Sequence, residues 1–319
     1  LKALDGGRRF VDRDLNRAWQ AERVAALRAG AAATSSEDKE QAELMNRLAP
    51  LIESAPAEVF VIDLHTTSSR SAPFILFADT LPNRGFAAQV PLPLVLGLEE
   101  QVDGAMLDYL ESRYRLVTMG VEGGQHDDPA SVDNLESVLW IALVRAGCID
   151  PDDLPDLDAH RQRLVAARAD LPRVLEVRHR HAIGPEDGFR MEPGFVNFQP
   201  VRRGQLLATS RNGPVLAGET ARVLMPLYQG QGDDGFFLTR AVRPQWLRLS
   251  EALRRHRVGR ILPLLPGVRE HSAIPHTLVI DTRIAKLFPM QILHLLGYRK
   301  QRWDAGRLVV SRRIGDGIG

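Results

Sequence analysis

Val59-Phe60-Val61-Ile62-Asp63-Leu64-His65-Thr66-Thr67-Ser68 is the stretch on which the fold turns. Four consecutive apolar residues without alternation mark a short strand buried on both faces, as strands are when helices cover a sheet on either side. Polar residues follow at once, so His65 is expected just beyond the strand's carboxyl end, where ligand and catalytic groups collect in open α/β sheets.

Working outward, residues 18–29 and 36–53 have the Ala, Leu, Glu and Arg content of surface helices, and Ser35 with Asp38 forms a capping box before the second. Pro50 is expected to shorten or kink that helix. Residues 74–77, 92–96 and 114–121 read as further strands, with a helix over 99–111, and residues 131–146 form an amphipathic helix that ends at Gly147. The acidic, proline-rich 150–156 marks a connection, followed by a helix over 157–169 and a strand from 175. Residues 200–228 alternate apolar runs with Arg203-Gly204 and Asn212-Gly213-Pro214 turns, the pattern of hairpins in a small β barrel or sandwich. Helices over 245–257 and 284–296 flank a strand at 277–280, and a closing hairpin is centred on Asp304-Ala305-Gly306. The fold class is therefore α/β: a three-layer domain with a mixed sheet over residues 1–149, a connecting segment over 150–182, and a smaller β-rich region over 183–319.

Composition narrows the function. A formal net charge of +1 on 319 residues gives no bulk attraction for nucleic acid or anionic membrane, and only Lys2, Lys39, Lys286 and Lys300 are lysines among 41 basic residues. The arginines are spread along the chain, so neither nucleic acid nor membrane is an expected partner. No apolar run approaches the roughly 20 residues of a membrane span. Cys148 is the single cysteine, which excludes an intrachain disulfide and a cysteine-cluster metal site and makes a reducing cytoplasm the default location. No nucleophile elbow, phosphate loop or dinucleotide turn occurs, and the 200–228 hairpins contain no lysine for a covalently attached cofactor.

Three polar blocks remain: Arg9 with Asp14-Leu15-Asn16-Arg17, then Asp63 to Ser68, then Glu122-Gly123-Gly124-Gln125. His65 has the imidazole that suits zinc and the rigid mounting of a strand end, although a lone histidine there could equally hydrogen-bond a loop. Glu122 follows an apolar strand and precedes two glycines, which suits a base beside a cleft or a solvated turn residue. An arginine beside an asparagine can grip a carboxylate, and arginines elsewhere in this chain, such as Arg8, Arg13 and Arg23, can equally be surface. His179 and His181 alternate on a strand amid arginines and are expected to be exposed.

The order and spacing of those blocks resemble the catalytic domain of the succinylglutamate desuccinylase and aspartoacylase family, zinc amidohydrolases related to the zinc carboxypeptidases, over residues 1 to about 145. The resemblance implies a zinc-carboxypeptidase-like fold, Zn2+ as cofactor, His65 as the third zinc ligand and Glu122 as the proton-shuttling base. It also implies that Arg9 polarises the scissile carbonyl and that Asn16 and Arg17 hold a substrate carboxylate. Tyr228 is placed by a looser match as a phenol donor reaching the cleft. The substrate implied is a small carboxylated N-acyl amino acid. A carboxypeptidase acting on a peptide, and a metal-free carboxylate-binding protein, stay open as alternatives. In the family the first two zinc ligands lie in a His-x-x-Glu segment upstream of Asp-Leu-Asn-Arg. No His-x-x-Glu occurs in this sequence, so the expectation is an enzyme whose amino-terminal part is missing and which is inactive as it stands.

Overall fold

The computed structural model describes residues 2–281, 290–304 and 307–313. After a short helix α1 (Lys2–Asp5), the amino-terminal half runs α2 (Ala21–Arg28), α3 (Ser36–Glu53), β1 (Phe60–Thr67), β2 (Phe74–Leu76), α4 (Leu81–Ala87), β3 (Leu94–Leu96), α5 (Met106–Tyr114), β4 (Val117–Gln125), α6 (Ala130–Arg145) and α7 (Leu157–Ala167). The second half runs β5 (Val174–Ala182), β6 (Arg190–Met191), β7 (Pro200–Val201), β8 (Leu206–Ser210), β9 (Gly213–Leu216), β10 (Ala221–Leu224), β11 (Asp234–Ala241), α8 (Pro244–Arg255), β12 (Val268–Glu270), β13 (Thr277–Ile280), α9 (Met290–Leu295), β14 (Tyr298–Asp304) and β15 (Arg307–Arg312).

Eight strands form one mixed sheet in the order β1-β4-β2-β3-β5-β11-β10-β7, with two small sheets of four and three strands beside it. β1 is parallel to β4, whereas β2 is antiparallel to β4. The decisive apolar run meets helices on both faces but is only half-buried, because β1 is an edge strand of the sheet. Val59 and Val61 pack against the layer of α2, α3 and α5 with Trp19, Met45 and Leu110, while Phe60 and Ile62 pack against Phe86, Val138 and Leu164 of α4, α6 and α7. Burial on both faces at about 25 cal/mol per Å² of apolar area is what holds such a strand between two helical layers.

The capping box before α3 is present, with Ser35 and Asp38 each accepting from the other's backbone amide, and Pro50 is accommodated inside the helix. Local boundaries shift elsewhere. The helix expected over 99–111 begins at Met106, because Gly104 takes a positive φ of 78° and turns the chain first. The strand expected to end at 121 continues to Gln125, so Glu122 lies inside it. The sheet also runs across positions 149 and 182: β5, within the expected connecting segment, pairs with β3 on one side and β11 on the other. Phe236, Phe237 and Leu238 are buried. His179 is exposed as expected, but His181 is half-buried because its ring stacks on Phe236 with centroids 5.0 Å apart. The first residues of the helix expected over 284–296 and the tip of the last hairpin lie outside the described residues.

Candidate active site

The sheet register brings two of the three polar blocks together. β1 and β4 run in parallel with Asp63 opposite Gly120 and His65 opposite Glu122. Side chains alternate along a strand, so Asp63 and His65 stand on the same face as Val61, and Glu122 joins them from the neighbouring strand. His65 Nε2 lies 2.8 Å from Asp63 Oδ2. The sequence alone gives Asp63 no role. Its i, i+2 spacing from His65 on a strand was the signal that the two share a face.

Beyond this point the pairing shifts, and the two strand ends are stitched by loops. His126 donates its backbone amide to the Thr67 carbonyl at 3.0 Å, and Thr66 Oγ1 lies 2.7 Å from His126 Nδ1. The two glycines after Glu122 are required by packing. A Cβ on Gly123 would sit 2.5 Å from Leu135 Cγ and 2.8 Å from the Ser131 carbonyl oxygen, and Gly124 takes φ of 141° with Ser131 Oγ 2.5 Å from any Cβ. They let the amino-terminal turn of α6 close over the end of β4.

Glu122 points to the opposite face of the strand from α6 and is buried there. The side chain is 7% exposed, and its Oε2 is buried without a hydrogen-bond partner among the described residues. Desolvation therefore dominates and raises the carboxyl pKa from 4.5 to about 7, against the opposing pull of His65 and Arg9. The pKa of His65 is raised as well, first by its hydrogen bond to Asp63. Both shifts favour the protonated form, burial doing so for Glu122 and the Asp63 hydrogen bond for His65.

The structure places the remaining expected residues as follows. Arg9 is electrostatically coupled to both His65 and Glu122, and its guanidinium pairs with Asp14 at 2.9 Å while its backbone amide donates to Gln231 at 3.1 Å. Asn16 turns to α5, where its Oδ1 accepts from the Met106 amide at 2.9 Å and so caps that helix. The guanidinium of Arg17 pairs with Asp234 of β11 at 2.9 Å. Tyr228 spends its hydroxyl on the loop after β6, accepting from the Phe195 amide and donating to the Glu192 carbonyl, both at 2.8 Å. Among the described residues no hydrogen bond joins Tyr228 to His65 or Glu122. The link is indirect. Two residues beyond Phe195, Asn197 donates to Thr67 Oγ1 at 3.4 Å and its amide reaches the Arg70 carbonyl at 2.9 Å, so Tyr228 braces a loop that leans on the end of β1. Gln231 and Asp234, which hold Arg9 and Arg17 from the second half of the chain, carried no local sequence signal.

A zinc ion would need three protein ligands in an open catalytic geometry. Among the described residues no group of three His, Cys, Asp or Glu side chains is arranged to hold a metal. His65 offers one imidazole already hydrogen-bonded to Asp63, and the described residues do not by themselves fit a zinc site.

Residues 1–137 match the family model of the succinylglutamate desuccinylase/aspartoacylase catalytic domain. No curated protein matches the chain by sequence. Among solved structures, a succinylglutamate desuccinylase/aspartoacylase from Rhodobacter sphaeroides is similar with 17% identity and a TM-score of 0.51, over 76% of this chain and 72% of that one. The product-bound ectoine utilization protein EutE from Ruegeria pomeroyi is similar with 18% identity and a TM-score of 0.51, over 74% of this chain and 71% of that one. Identities this low speak to the shared fold. Residues 1–137 thus match the model of the succinylglutamate desuccinylase/aspartoacylase catalytic domain, and the mixed sheet is the fold shared with these solved structures.

Proposed function

We propose that the protein is an amide hydrolase acting on a small carboxylated substrate of the N-acyl amino acid type, with Glu122 as its proton shuttle. The observation that carries this reading is the buried Glu122 carboxyl, titrating near 7 with an unpartnered Oε2, within β4 opposite His65 of β1. A carboxyl with a pKa near the working pH is present in both forms. It can therefore take a proton from attacking water and return it to the leaving nitrogen. Asp63 fixes His65 by holding Nε2, and Arg9, whose charge acts on both His65 and Glu122, is the cation that can stabilise the oxyanion developing on the scissile carbonyl. Arg17 supplies the planar donor set that recognises a substrate carboxylate, and Tyr228 shapes the cleft through the loop it braces.

Zinc is part of this reading through the family resemblance, with His65 as the chain's imidazole donor. The described residues do not by themselves close a zinc ligand set. A carboxylate-binding protein without catalysis is a second outcome of the test. A carboxypeptidase acting on peptides is a third outcome of the test. Among the described residues no helix is long and apolar enough to cross a membrane.

The test is a hydrolysis screen of N-succinyl and N-acetyl amino acids and short peptides with the purified gene product, with and without chelator, alongside its zinc content after dialysis. Chelator-sensitive release of a free amino acid supports the first reading. Carboxylate binding with no turnover on any substrate, zinc added, supports the second and removes the first. Tight stoichiometric zinc on residues 1–319 alone would show that the ligand set described here is wrong.

A further inference from the structure

Arg17 is not open to a ligand in this structure. One terminal nitrogen donates to Asp234 Oδ2 at 2.9 Å and the other to the Asn16 carbonyl at 3.0 Å, while Nε is buried without a partner. A bidentate grip on a substrate carboxylate needs two guanidinium nitrogens side by side, and Asp234 holds one of them. Asp234 itself is shared. Its Oδ1 accepts from Arg180 Nε, and Arg180 is fixed in turn by a 2.6 Å hydrogen bond to the Gln101 carbonyl.

The sharing decides what happens when a competing carboxylate arrives. A half-buried aspartate that lost its only cation would be left uncompensated, at a cost that keeps most such pairs shut. With Arg180 in place, Asp234 can release Arg17 and remain paired. Its side chain is 11% exposed and that of Arg17 26%, so the exchange takes place in a partly desolvated setting where charge counts. A neutral ligand brings nothing to offset the broken pair. Asp234 also opens β11, at the end of the turn whose Gln231 accepts from the Arg9 amide, so one turn of the second half of the chain touches both arginines.

We propose that Asp234 is an internal competitor for Arg17 that steps back onto Arg180 when a carboxylated ligand binds, which makes Asp234 the residue that sets selectivity for carboxylates. The proposal rests on the reading of Arg17 as the carboxylate-holding residue. It adds that occupancy is an exchange of one carboxylate for another, with Arg180 as the holding partner.

Calorimetric titration of the chelator-treated chain with succinate, and with succinamide as the neutral isostere, tests it without needing turnover. Asp234→Asn should bind succinate about tenfold more tightly than wild type, a shift of the size expected when one competing ion pair is removed. Succinamide should bind all variants alike. Arg180→Ala should weaken succinate severalfold, because Asp234 then has only Arg17, and this arm stands even if Asp234→Asn fails to fold. Unchanged or weaker succinate binding by a folded Asp234→Asn, while Arg17→Ala loses it, overturns the proposal alone. Undiminished binding by Arg17→Ala overturns the reading of Arg17 and the proposal with it.

Discussion

At the amino-terminal end of α3 the Asp38 carboxylate, 1% exposed, is saturated with donors: the Arg13 and Arg23 guanidinium groups, the Thr34 amide and hydroxyl at 3.0 and 3.1 Å, and the Ser35 amide at 3.2 Å. Within β4 the Glu122 carboxyl, 7% exposed, has an oxygen without any. Burial is nearly the same and solvation by the protein is opposite. A carboxylate that holds structure together is given every hydrogen bond it can accept, because each unmet one costs free energy. A carboxyl left underserved is kept close to its neutral form and reactive towards protons, and the fold bears that cost where chemistry is done.

The largest effect that could break this contrast lies at Asp38. Asp38→Ala removes the shared acceptor and leaves two guanidinium groups facing each other, so unfolding stability should fall by about 3 kcal/mol or more, read by denaturant melts. A loss below about 1 kcal/mol would mean the knot is not structural.

Glu122 should behave in the opposite sense. Its folded pKa of about 7 lies above the ordinary value of 4.5, so the folded state holds a proton that the unfolded chain has released. Stability should therefore fall as pH rises from about 4.5 to about 7 and stay level above that, by an amount on the order of 3 kcal/mol. In chelator-treated protein Glu122→Gln removes this slope and is the more stable form at pH 8. Parallel pH dependences of the two melting curves would contradict the burial argument.

In turnover, Glu122→Gln should lower kcat by roughly 10² or more while the protein stays folded, the range for loss of a general base. Near wild-type rates would remove Glu122 from the chemistry. A smaller change is expected at Arg17, where lysine keeps the charge and loses the fork. Arg17→Lys should weaken binding of carboxylated ligands by about tenfold and relax their preference over neutral ones. Unchanged selectivity would make Arg17 a strut for Asp234 and nothing more.

What could be seen in the sequence follows the range of the interactions involved. The capping box at Ser35 and Asp38 spans three residues and the double-sided packing of residues 59–62 is written in four, so both were legible. The site was legible where a strand carries it, since His65 and Glu122 sit at the ends of apolar runs. Their exact apposition was not, because the parallel register of β1 with β4 is set by packing across more than 50 residues. Least legible was the company kept by the arginines. Arg17 meets Asp234 across 217 residues of sequence, and Asn16 faces the start of α5, 90 residues on. Nothing local in Asp-Leu-Asn-Arg could have foretold either contact. The antiparallel turn of β2, and the passage of the main sheet through β5 into β11, likewise depend on long-range pairing that short apolar runs do not encode.

The central claim is that Glu122 is a buried acid held near neutrality by the lack of partners. Carbon-13 NMR of the glutamate side-chain carboxyl groups in chelator-treated protein, with the Glu122 resonance identified by its loss in Glu122→Gln, measures this directly. The account predicts a titration midpoint near 7. A midpoint at or below the ordinary 4.5 would show a carboxylate as well served as Asp38 and would contradict it.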